Sequence, residues 1–77
     1  MSFKALDTVV LDRDLPGLGL RRGDVGTVVQ VYAPDGLEVE FVTAAGKTEA
    51  LTTLVERDVR PVAADDLIAV RRYSRTG

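Results

Sequence analysis

The sequence predicts an all-β domain, a small five-stranded barrel followed by a short C-terminal extension. Three observations carry that expectation. Short runs rich in valine, threonine and other β-favouring residues recur along residues 1–62. Clusters of Gly, Pro and Asp separate those runs at the spacing of tight connections. One run, LEVEFV at residues 37–42, alternates apolar and charged positions with the period of two that a half-buried strand requires.

Residues 7–12 form the first predicted strand, centred on Val9, Val10 and Leu11. The loop RDLPGLGLRRGD follows; its glycines and proline exclude a regular element, and Leu15, Leu18 and Leu20 are spaced to fold it back over the core as a lid. Residues 25–32, dominated by valine, are the second strand. The stretch APDG turns the chain, with Pro34 fixing its own φ and Gly36 able to accept a positive φ. LEVEFV is the third strand, with Leu37, Val39 and Phe41 inward and Glu38 and Glu40 outward. TAAGK is the next turn, and residues 48–54 make the fourth strand. VERD, residues 55–58, is too short for an ordinary helix and reads as one 3₁₀ turn. VRPV closes the set as a short fifth strand, which should lie at an edge or end at Pro61, because proline has no N–H for a ladder.

The extension, residues 63–77, has two readings. As a helix, the favoured one, Asp65 would cap it, Asp66 would lie in its first turn and Arg71 and Arg72 near its end, while Leu67, Val70 and Tyr73 would share a face. As an added strand, Ile68 and Val70 would alternate.

Composition narrows the class further. Seventy-seven residues make one domain, and 45% apolar residues are enough for a compact core. Neither cysteine nor histidine is present, which removes disulfide staples, thiol nucleophiles, Ser–His–Asp triads and the common zinc sites. Asp7 and Asp12 interrupt any signal-like apolar stretch near the start, and no run is long enough to span a bilayer as a helix. A soluble, cytoplasmic protein without membrane, metal or cofactor is expected. Ten basic against twelve acidic residues leave a net charge of −2: residues 1–62 carry seven against ten (−3) and the extension three against two (+1). An acidic barrel repels polyanions in general.

RRGDVGTVVQVY, residues 21–32, sets two glycines just before the valine run. Gly23 serves a turn after Arg22, and Gly26 allows another chain to come close where the strand first curls. Val28 and Val31 can both face inward only if a bulge lies between them. The spacing of Arg22, Gly23, Gly26, Val28 and Val31 resembles the KOW motif of SH3-like barrels in ribosomal proteins and transcription factors. A longer similarity, through residues 7–16, 19–29 and 39–41, is to a bacterial domain family of unknown function numbered four-nine-two-six. That resemblance implies an SH3-like barrel and supplies no established activity and no catalytic residues. It also implies an antitoxin- or immunity-type role, since some relatives are encoded beside small toxin-like domains.

Carboxylate catalysis would need a pair of acids set apart from solvent. Glu38 with Glu40, and Asp12 with Asp14 around Arg13, read instead as the solvated outer surface of a sheet, and Asp65 with Asp66 as a helix start. GLGLRRG is no dinucleotide fingerprint, because no strand–turn–helix surrounds it. A non-enzymatic protein-binding module is therefore expected, with a protein partner or a second copy of the chain. Its candidate contact residues are Arg21, Arg22, Tyr32, Arg57, Arg60, Arg71, Arg72 and Tyr73. The alternative is a KOW-like nucleic-acid module using Arg21, Arg22, Lys47, Arg57 and Arg60; four aromatics, Phe41 committed to the core, offer it few bases to stack on.

Overall fold

The computed structural model describes residues 2–74. Five strands appear in the expected places: β1 (Thr8–Leu11), β2 (Val25–Tyr32), β3 (Gly36–Val42), β4 (Thr48–Val55) and β5 (Val59–Pro61). All pairings are antiparallel, and the order across the sheet is β4-β3-β2-β1-β5. Two short 3₁₀ turns complete the set, η1 (Pro16–Leu18) in the β1–β2 loop and η2 (Glu56–Asp58) before β5.

A single apolar cluster takes residues from every strand: Val9 and Leu11, Val28, Leu37, Val39 and Phe41, Ala50 and Leu54, and Val59. No second sheet and no long helix covers that face among the described residues. A flat sheet would leave it in water, so the sheet curls around its own side chains as a small, partly open barrel whose edge strands are β4 and β5. The lid behaves as its leucines predict. Leu15 and Leu20 exchange main-chain hydrogen bonds (2.9 and 3.1 Å), Leu20 is buried, and Leu15 and Leu18 pack against the cluster.

The two glycines of RRGDVG have separate tasks. Gly23 lies at φ +97° in a turn closed by Asp24 N–H donating to the Arg21 carbonyl (3.0 Å), the third position of a turn that favours glycine. Gly26 is buried, and a Cβ there would stand 2.7 Å from Val39 Cγ1 and 2.8 Å from Phe41 Cε1. The bulge falls between Val28 and Gln30, so Val28 opposes Val39 and Val31 opposes Leu37. Val31 thus shares the core-facing side, but it sits at the barrel's margin and stays 43% exposed.

Two expectations are corrected. Gly36 does not adopt a positive φ; it begins β3 beside Tyr32, and the Ala33–Pro34 peptide is cis. The favoured helix of the extension does not form, and neither does the alternative strand: residues 62–74 hold one turn and otherwise irregular chain. Asp66 rather than Asp65 organises that turn, its carboxylate accepting from the Ala63 N–H (2.6 Å) and its own N–H donating to the Ala63 carbonyl (3.1 Å). Arg71 is drawn to Asp24 instead of to helix carbonyls, and the few residues left between are too short to nucleate a helix. Residues 75–77 of the extension lie outside the described residues.

Candidate functional site: the clasped C-terminal strap

The extension returns to the barrel and is fastened at two points. At the first, Arg60 in β5 donates from both terminal nitrogens to the Asp66 carboxylate (2.9 Å each). Those bonds, with the Ala63 amide, hold the Asp66 carboxyl down to about 2. At the second, Arg71 donates from Nε to Asp24 Oδ1 (2.8 Å) and from Nη2 to Asp24 Oδ2, while Nη2 also reaches the Gly19 carbonyl (2.9 Å). Partial burial works against the charge of Asp24, yet the Arg71 bonds and the Arg21 N–H (2.8 Å) outweigh it and lower its pKa. Tyr73 completes the clasp, its hydroxyl donating to the Leu18 carbonyl (2.7 Å) and its ring packing on the core cluster.

Between the fastenings, Leu67, Ile68 and Val70 are 93%, 81% and 96% exposed. Free chain ends commonly expose apolar residues; here they are exposed on a segment pinned at both sides. Residues 67–70 make no main-chain hydrogen bond among the described residues. Beside the strap a groove of about 690 Å³ opens against the barrel, lined by Val25, Phe41, Val42, Val70 and Tyr73 among others. Val25 and Val42 are half exposed there.

The residues singled out from sequence do not form one surface. Arg71 and Tyr73 meet at the lid, and Arg21 and Arg22 belong to the turn that holds Asp24. Arg22 is itself engaged, by Nη2 with Asp12 Oδ1 (3.0 Å) and by its N–H with Asp14 Oδ1 (2.8 Å). Arg60 belongs to the first fastening. Arg72 is exposed, its carbonyl accepting from Arg71 Nη1 (3.3 Å). Tyr32 and exposed Arg57 lie at the other end of β2, where Glu56 N–H donates to the Asp35 carbonyl (3.0 Å) and joins η2 to the hairpin.

Carboxylates therefore claim much of the basic charge proposed for nucleic acid. Of the five side chains so proposed, Lys47 contacts Glu49 (3.5 Å), in addition to the pairs of Arg22 and Arg60; outside that set, Arg13 contacts Asp58 (3.4 Å) and Arg71 pairs with Asp24. Glu38 and Glu40 are half-buried on the outer face and accept from Thr53 (2.7 Å) and Thr48 (2.5 Å). No group of three or more potential metal ligands occurs among the described residues, and no helix there is long and apolar enough to cross a membrane.

Sequence reasoning did not single out Asp24 or Asp66 as anchors. The signal for Asp24 was its place closing the RRGD turn, where a carboxylate can reach back to a main-chain amide; nothing local announced the distant arginine.

The family described as Domain of unknown function (DUF4926) matches residues 5–61, so its match stops short of the strap. No curated protein and no solved structure matches the chain.

Proposed function

Since the chain belongs to the DUF4926 family, we propose that its family barrel is SH3-like and serves as a non-enzymatic scaffold for protein binding in the bacterial cytoplasm. Support for the SH3-like reading is the strand order, in which the last strand returns beside the first, and the single 3₁₀ turn leading into it. The observation that carries the binding reading is the strap. Three large aliphatic side chains held almost wholly in water by two charge-assisted fastenings are poised for a partner surface. Ordering the segment in advance reduces the entropy lost on association. An antitoxin- or immunity-type role is one form such binding would take.

The nucleic-acid reading has less support: of its five candidate basic side chains, Arg22, Lys47 and Arg60 are paired with carboxylates, while the KOW-like glycine pair is neutral because it serves curvature under either reading.

The test immobilises the wild-type chain beside a Leu67→Ser/Ile68→Ser/Val70→Ser variant, exposes both to native extract at modest salt, and quantifies protein and nucleic acid. A defined protein recovered by wild type and lost with the variant supports the proposal. Equal recovery by both, or nucleic acid retained in a salt-dependent manner, overturns it.

A further inference from the structure

The barrel's two edge strands are protected very differently. β5 is three residues long, ends in Pro61 and carries Arg60, all devices that discourage another strand from adding. β4 is eight residues long, TEALTTLV, without proline and with a single ionisable residue, Glu49, near its start. The chain's irregularity on this strand is confined to its first residues, where the register shifts beside Phe41; from Ala50 to Val55 it pairs regularly with β3. Along residues 50–54 the outward edge has no main-chain partner among the described residues.

We propose that β4 is a homodimer surface, pairing antiparallel with β4 of a second copy about a two-fold axis at Thr52. A strand open to any partner would also risk endless head-to-tail addition. Here β4 cannot extend onto β5 of another copy, because β5 is short and blocked, so between the sheet's own edge strands the pairing left is the closed, isologous one. The proposed register places Ala50 opposite Leu54 of the second copy and Leu51 opposite Thr53, each twice by symmetry. Small thereby meets large on the core side, and a half-exposed leucine is covered on the outer side. Glu49 is displaced from the axis, so no like charges meet within Thr48–Val55. The shared sheet would also enlarge the buried surface of a small chain.

The surface is separate from the strap, and the test keeps them distinct. Wild type, Leu51→Lys/Thr53→Lys, Leu51→Lys/Thr53→Glu and the triple serine strap variant are compared by sedimentation equilibrium up to millimolar concentration, with circular dichroism to check folding. Both β4 positions are exposed, so the substitutions leave the core intact. Wild type and the strap variant are expected at twice the chain mass. The double lysine variant sets lysine against lysine twice across the axis and is expected at the monomer mass. The lysine–glutamate variant sets opposite charges in the same places and is expected to restore the dimer. A monomeric wild type, a dimer indifferent to the double lysine change, or failure of the charge reversal to restore it would overturn the proposal. Loss of the dimer in the strap variant alone would also do so.

Discussion

Arg71 grips Asp24 across forty-seven residues of sequence, with Nε 2.8 Å from Oδ1 and Nη2 against Oδ2. The pair is two-pronged and partly shielded, so it fixes orientation as well as distance. It joins an extension outside the family's matched region to the turn at which β2 begins. The exposed apolar strap depends on this bond, because without it only the Asp66 fastening and Tyr73 remain.

Replacing Arg71 with alanine removes the bidentate contact and the bond to the Gly19 carbonyl. Solvent screening of this part-exposed pair places the loss below the usual range for charge-assisted bonds, at about 1 kcal/mol. For a domain of this size that corresponds to a Tm lower by about 4–8 °C. Thermal denaturation followed by circular dichroism measures it; an unchanged Tm would mean that the Arg71 contact contributes nothing to the folded state.

The Asp66 fastening responds to acid in a defined direction. Its carboxyl ordinarily titrates at 3.8 and is held to about 2 in the fold. A lowered folded pKa means that the associated stabilisation is fully present above 3.8 and is lost as pH falls through about 2. Side-chain carbon shifts followed by NMR should show Asp66 half-titrated near the lower value, and Arg60→Ala should return it toward 3.8. A wild-type midpoint at the ordinary value would remove the first fastening.

Gly26 and Gly23 should fail differently when changed to alanine. At Gly26 the new methyl collides with Val39, Phe41 and the Glu40 carbonyl (3.1 Å), and overpacking of this kind costs about 1–3 kcal/mol. At Gly23 there is room, but φ +97° strains any side chain, at about 1–2 kcal/mol. Chemical denaturation gives both losses. NMR shifts should move at Val39 and Phe41 for Gly26→Ala and stay near the turn for Gly23→Ala.

Leu6 has a positive φ of 76° and is 80% exposed, in a turn closed by Asp7 N–H donating to the Lys4 carbonyl (3.1 Å). It therefore bears left-handed strain with little burial in return. Leu6→Gly relieves the strain at the expense of a more flexible unfolded chain, for a net gain of about 0.5–1 kcal/mol. Denaturant midpoints that fall in the variant would show that Leu6 makes a compensating contact.

Much of the barrel was legible because its signals are local. LEVEFV specifies its own faces, Pro61 marks an edge or an end, and a shared side for Val28 and Val31 requires a bulge between them, which lies between Val28 and Gln30. The extension was not legible for the opposite reason. Its acids and arginines fit a helix's capping pattern, but Arg71 and Asp66 find stronger partners far away or in a tight turn, and periodicity does not register such competition. Of the candidate surface, Arg71 and Tyr73 were placed together by the lid, whereas Tyr32 and Arg57 stand at the opposite end of β2. Composition could supply the residue types of an interface but not their gathering.

The most direct measurement is backbone ¹⁵N relaxation across residues 67–74, in wild type and in Arg71→Ala. A clasped strap predicts wild-type order parameters close to the rigid-backbone value of about 0.85, falling below about 0.6 in the variant. Low values in both proteins would contradict the account, because a tail already loose in the wild type displays no fixed surface to a partner.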